Sequence, residues 1–146
     1  MIRHILTATL LSAAPAFAQV AVTDPWARAS ILASRPGVAY LTLQADAADI
    51  LHAISTPVAK TAMIHDVVTG PDGIARMRAV QALPIPAGEA QVMAPGGMHI
   101  MLVGLSDTLR SGDSFPLSLT FENAGEITVE VQVMRAASMG PKEASR

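Results

Sequence analysis

The chain has 146 residues, a formal net charge of −2, 51% hydrophobic residues and 15% charged residues. That balance excludes a disordered, solvating chain, which needs low hydrophobicity and high net charge. It also lacks the Lys/Arg excess that neutralises a nucleic-acid backbone. No cysteine is present, which excludes disulfides, thiolate metal sites, a Cys nucleophile and a blue-copper centre built on two His and one Cys.

Residues 1–18 read as a cleaved secretory signal peptide. Arg3 supplies a short basic start, ILTATLLSAAP an apolar centre, and Ala16-Phe17-Ala18 a small-x-small cleavage pattern. No second long apolar run follows, so no stable membrane insertion of the mature chain is expected. No Cys follows the cleavage site either, so no lipid attachment is expected there. The mature segment is long enough to bury a core without staples. It is expected to form one β-sandwich domain over residues 19–138, with a short flexible tail over 139–146.

Helix signals are poor beyond residue 18. The ten prolines and ten glycines punctuate short apolar runs. GVAYLTLQ at 37–44 is β-rich, and KTAMIHDVV at 60–68 reads as a strand. Ala45 to Leu51 and the turn around Leu105 to Leu109 are the short helical candidates. Gly70-Pro71-Asp72-Gly73 is a turn, after which IARMRAV at 74–80 reads as a further strand. Another runs over 98–105, after Ala94-Pro95-Gly96-Gly97. The clearest alternation comes last. Leu117, Leu119 and Phe121 share one face, as do Ile127, Val129, Val131 and Val133, with Asn123-Ala124-Gly125 as the hairpin loop. Many short strands at this spacing predict an antiparallel sandwich or barrel.

Few residues can carry chemistry. The mature chain has His52, His65 and His99, and the methionines Met63, Met77, Met93, Met98, Met101, Met134 and Met139. For any single Met the default role is core filling. His99-Ile100-Met101 differs, because residues i and i+2 of a strand point the same way. Met98, Ile100 and Leu102 suit the core, which leaves His99 and Met101 outward. His65 shares its face with Thr61, Met63 and Val67; taken alone, it reads as a buried His bonded to a backbone carbonyl. Alternation alone places Met77 in the core with Ala75 and Ala79. His52 has no nameable partner. Asp66 points away from His65 and orients nothing.

The spacing of His65, Met77 and His99-x-Met101 resembles that of the periplasmic copper chaperone family of the PCu(A)C type. The resemblance extends to Asp24-Pro25-Trp26-Ala27-Arg28, Ala39-Tyr40-Leu41-Thr42, Asp72 to Arg78 and Pro95 to Leu102, and so covers nearly all of the mature chain. The eleven residues between His65 and Met77 read as one more than the family pattern's ten. The extra residue is expected in the Gly70-Pro71 turn, where it moves neither strand; within a strand it would flip side chains to the other face.

The resemblance implies a cupredoxin-like antiparallel Greek-key β-sandwich and one Cu(I) held by His65, Met77, His99 and Met101. It further implies a periplasmic carrier that delivers copper to a cuproprotein such as the Cu(A) site of a terminal oxidase. The partner is then a copper-accepting protein, such as an oxidase subunit or a thiol-bearing copper chaperone. The donor chemistry agrees. Thioethers select Cu(I) and imidazole accepts copper, whereas zinc sites use Cys, His and carboxylate. Protons compete for imidazole, so affinity is expected to fall on acidification. The alternative is a metal-free structural or adhesive β-sandwich whose Met and His residues are packing. An enzyme is not expected: Gly-x-Ser-x-Gly, His-Glu-x-x-His and nucleotide-loop motifs are missing.

Overall fold

The computed structural model describes residues 18–141; the expected signal peptide, but for Ala18, and most of the expected tail lie outside the described residues. Ten strands follow one another: β1 (Val20–Arg28), β2 (Gly37–Ala45), β3 (Asp49–Ser55), β4 (Ala59–Thr69), β5 (Ala75–Val80), β6 (Leu83–Ile85), β7 (Gln91–Val92), β8 (His99–Leu105), β9 (Ser114–Phe121) and β10 (Gly125–Met134). No α-helix occurs among the described residues.

The two helical candidates are therefore corrected. Ala45 ends β2, and Asp49 to Leu51 open β3, which pairs with β6 and β9. Leu109 makes an isolated bridge to Ser30. The Ala-rich run has helix propensity, but pairing with two neighbouring strands overrides it.

The strands close into a seven-membered barrel. Neighbours run β4, β8, β2, β1, β10, β9 and β3, and β3 returns to β4 through Ile54 opposite Ala62. All pairs are antiparallel except β1 with β10. Three strands lie outside the ring: β5 on β4, β6 on β3 and β7 on β2. Closure removes the free edges that an open sheet exposes.

The core follows from period-two alternation. Ala39, Leu41 and Leu43 of β2 point inward with Ile100 and Leu102 of β8, Leu117 and Leu119 of β9, and Val131 of β10. Each buried aliphatic side chain of this size contributes about 1.5–3 kcal/mol. The register of β1 slips by one residue between Thr23 and Trp26. Asp24 lies there at φ 50°, a conformation that Asp tolerates better than most residues. The bulge turns Trp26 to stand opposite Tyr40 instead of Ala39. Trp26 and Tyr40 then stack on the outer face with ring centroids 4.5 Å apart.

At the far end Asp49, 3% exposed, clamps the β9–β10 hairpin. Its carboxylate accepts from the backbone N–H groups of Ile50 (2.8 Å), Asn123 (2.9 Å) and Ala124 (2.9 Å), and from the Asn123 amide (3.3 Å). Burial pushes its pKa up, but these donors more than offset that and hold it below the usual carboxylate value.

Candidate metal centre

The site lies on the outer face of β5, β4 and β8. His65 stands directly opposite His99, and Met63 directly opposite Met101. Across the other edge of β4, Ala79 stands opposite His65 and Met77 opposite Val67. Paired residues of antiparallel strands point to the same side, and diagonal neighbours lie roughly 7–8 Å apart. His65, Met77, His99 and Met101 therefore share one face. Ile64, Ile100 and Leu102, on the alternate positions, fill the core.

The eleven-residue interval costs no register. The β4–β5 ladder runs unbroken from Ile64 opposite Val80 to Thr69 opposite Ala75. The connection between them is closed by hydrogen bonds from Gly70 N–H to Ile74 O and from Gly73 N–H to Gly70 O. Gly73 takes φ 76° there, which only the turn requires. Both strands keep their faces.

The two imidazoles meet edge to face, with centroids 5.8 Å apart and planes at 87°. His99 is 7% exposed, and its Nδ1 lies 2.9 Å from the Gly97 carbonyl. A carbonyl can only accept, so Nδ1 carries the proton and Nε2 keeps its lone pair. The Pro95-Gly96-Gly97 turn thus sets the tautomer. His65 is half-buried, and its Nδ1 is sealed from solvent with no hydrogen-bond partner. An orphaned buried polar atom of this kind costs about 1–3 kcal/mol unless something occupies it. The expected carbonyl bond is thus made by His99, and not by His65.

Met101 is half-buried, while Met77 is 62% exposed. The expectation of a core Met77 is corrected. β5 lies outside the barrel and only its last residue, Val80, packs on the core, so over Ala75 to Ala79 alternation selects between two exposed faces. Met77 forms the lip of the site and His99 its floor. On the far side of β8, Val38 stands opposite Met101. Beyond it the Arg28 guanidinium lies 5.9 Å from the Tyr40 ring centroid and donates to Ser138 O at 2.9 Å. Burial raises the Tyr40 pKa, with Arg28 pulling the other way.

Among the described residues, no group of three or more His, Cys, Asp or Glu side chains could hold a metal ion. A hard or borderline ion has no carboxylate-rich site there. What the face offers is two imidazoles and thioethers, a donor set suited to a soft monovalent ion. Met63, which sequence reasoning placed on this face without a role, adds a further thioether beside Met101.

The family model described as "Putative lipoprotein LpqE-like" matches residues 20–133. The chain belongs to the LpqE-like family. One curated relative, "Putative lipoprotein Lxx21020" of Leifsonia xyli subsp. xyli, is 33% identical over 79 residues. The match covers 54% of this chain and 48% of that protein, so it spans about half of the relative's length. Among solved structures, the LpqE-like chain resembles the apo PCuAC domain of PmoF2 at 26% identity and a TM-score of 0.70, covering 86% of this chain and 97% of that one. It also resembles the Cu(I) form of DR1885 from Deinococcus radiodurans, at 25% identity and a TM-score of 0.61, covering 88% and 84%. The LpqE-like domain is thus of the PCuAC type, with the cupredoxin-like all-β architecture that the family resemblance implied.

Proposed function

We propose that this LpqE-like domain binds one Cu(I) through His65, Met77, His99 and Met101 and carries it, outside the cytoplasm, to a copper-accepting protein such as the Cu(A) site of an oxidase. The observation that carries this reading is the facing pair of imidazoles. One has its tautomer fixed by Gly97; the other has a buried ring nitrogen with no partner in the protein. A metal-free sandwich would have no reason to leave that nitrogen empty. Similarity to PCuAC domains, one of them solved in a Cu(I) form, supports the choice of metal. The lipoprotein description of the family and of its relative supports export.

The donors suit a carrier. All four are neutral, so Cu(I) is held by soft coordination alone and keeps its charge. A thiolate-bearing acceptor adds charge neutralisation and takes the ion downhill. Met77, at the exposed lip, is the donor that an incoming ligand reaches first. His99, at the floor, is the last to be reached. Titration of the apo protein with Cu(I) against a coloured chelator tests the reading. The parent should bind one equivalent, and His99→Ala and Met101→Ala should lose it. Unchanged binding in both variants would remove these residues from the site.

A further inference from the structure

The strand β3 slips register by one residue between Leu51 and Ala53, and His52 is the extra residue. A bulge leaves its extra residue out of the ladder and re-aims its side chain, often beside a functional site. His52 is exposed. β3 meets β4 at Ile54 opposite Ala62, one residue from Ala53 on one strand and from Met63 on the other. At that point β4 changes partners: its edge belongs to β3 at Ala62 and to β5 from Ile64 onward. Where β3 and β5 part, a cleft of about 450 Å³ opens, lined by His52, Ala53, Met63 and Ala79 among others.

Met63 is therefore shared. It lines this cleft, and it stands directly opposite Met101 of the four-donor face. Ala79, on the cleft's other wall, stands directly opposite His65. No Asp, Glu, Lys or Arg lines the cleft. It offers no charged donor to a hard divalent cation, and nothing in its lining repels a monovalent one. Its soft donors are one imidazole, His52, and one thioether, Met63, a pair that favours Cu(I), beside the neutral amide of Gln81.

We propose that His52 and Met63 form a second, weaker Cu(I) station through which the ion is loaded into the four-donor site. This rests on the copper reading above. Two neutral donors suffice to hold Cu(I) briefly, and fewer donors make the station weaker than the main site. Transfer is ligand substitution: Met63 binds as the cleft is loaded, then Met101 and the imidazoles replace His52. No electron or proton changes hands.

The test is anaerobic titration of the full chain with Cu(I) against chelators of decreasing strength, with the methionine methyl groups followed by NMR. The parent should take one equivalent from a strong chelator and a second from a weak one, the Met63 methyl resonance shifting with the second. In His52→Ala, an exposed position with little bearing on folding, the second equivalent should vanish and the first remain. Met63→Leu should also lose the second equivalent. A parent that stops at one equivalent against the weakest chelator overturns the proposal, as does a second equivalent that survives in His52→Ala. If the strong chelator yields nothing while the His52-dependent equivalent still appears, the cleft station stands and the four-donor reading falls.

Discussion

Among the described residues the fold buries one carboxylate, Asp49, and one imidazole, His99, and it treats them in opposite ways. Asp49 is saturated: four N–H donors fill its oxygens, and three of them come from the β9–β10 hairpin. His99 is half-satisfied: Gly97 binds one ring nitrogen and the other keeps its lone pair, with the His65 ring 5.8 Å away. A buried polar group that holds a fold together spends all its bonding capacity on the protein. One that serves a ligand is oriented by a single bond and keeps the rest in reserve.

Substitutions at these positions and their neighbours sharpen the contrast. Leu102→Ala, on the inner face of β8, should cost the most, about 2–5 kcal/mol, because it leaves a cavity in a closed core. Denaturant unfolding measures this. Asp49→Ala should follow at on the order of 3 kcal/mol, since it removes charged hydrogen bonds and strands backbone donors in the interior. His99→Ala should abolish copper binding yet cost only about 1–2 kcal/mol, the Gly97 carbonyl losing one partner. A loss of stability equal to that of Asp49→Ala would break the comparison. Met77→Leu should leave the unfolding midpoint unchanged and weaken Cu(I) binding on the order of tenfold, about 1.4 kcal/mol, as judged by chelator competition.

Acid separates the two groups further. The Asp49 pKa is lowered in the fold. Its contribution is therefore full above the unfolded carboxylate value of about 3.9 and is lost as pH falls through the lower native value. The slope of stability against pH in that acid range should flatten in Asp49→Asn, as followed by urea unfolding at several pH values. A slope identical to the parent's would show that the carboxylate charge is not what the hairpin uses.

Period-two patterning made much of this legible. Ile127 to Val133 and His99 to Leu105 declared their faces, because one side of each strand meets a core. The shared face of His65 and His99 followed from the same rule once the two strands paired. Alternation failed at Met77 because it cannot tell a strand over a core from one beyond it. Asp49 was invisible, because its partners lie 74 and 75 residues away and no local pattern announces them. His52 was unreadable for a related reason: a bulge is a relation between two strands, and only β9 defines it. The parallel pairing of β1 with β10 joins the two ends of the fold and leaves no local trace.

Among the described residues, β5 pairs with β4 alone. Nearly all of its residues are exposed, so detaching it forfeits one ladder of hydrogen bonds and almost no buried apolar surface. Its amides should therefore exchange with deuterium faster than those of β8, which sits inside the ring. Fraying of that single hairpin would swing the Met77 sulfur away from the other donors while the barrel stays shut, so the domain could loosen its hold on cargo without paying for global unfolding.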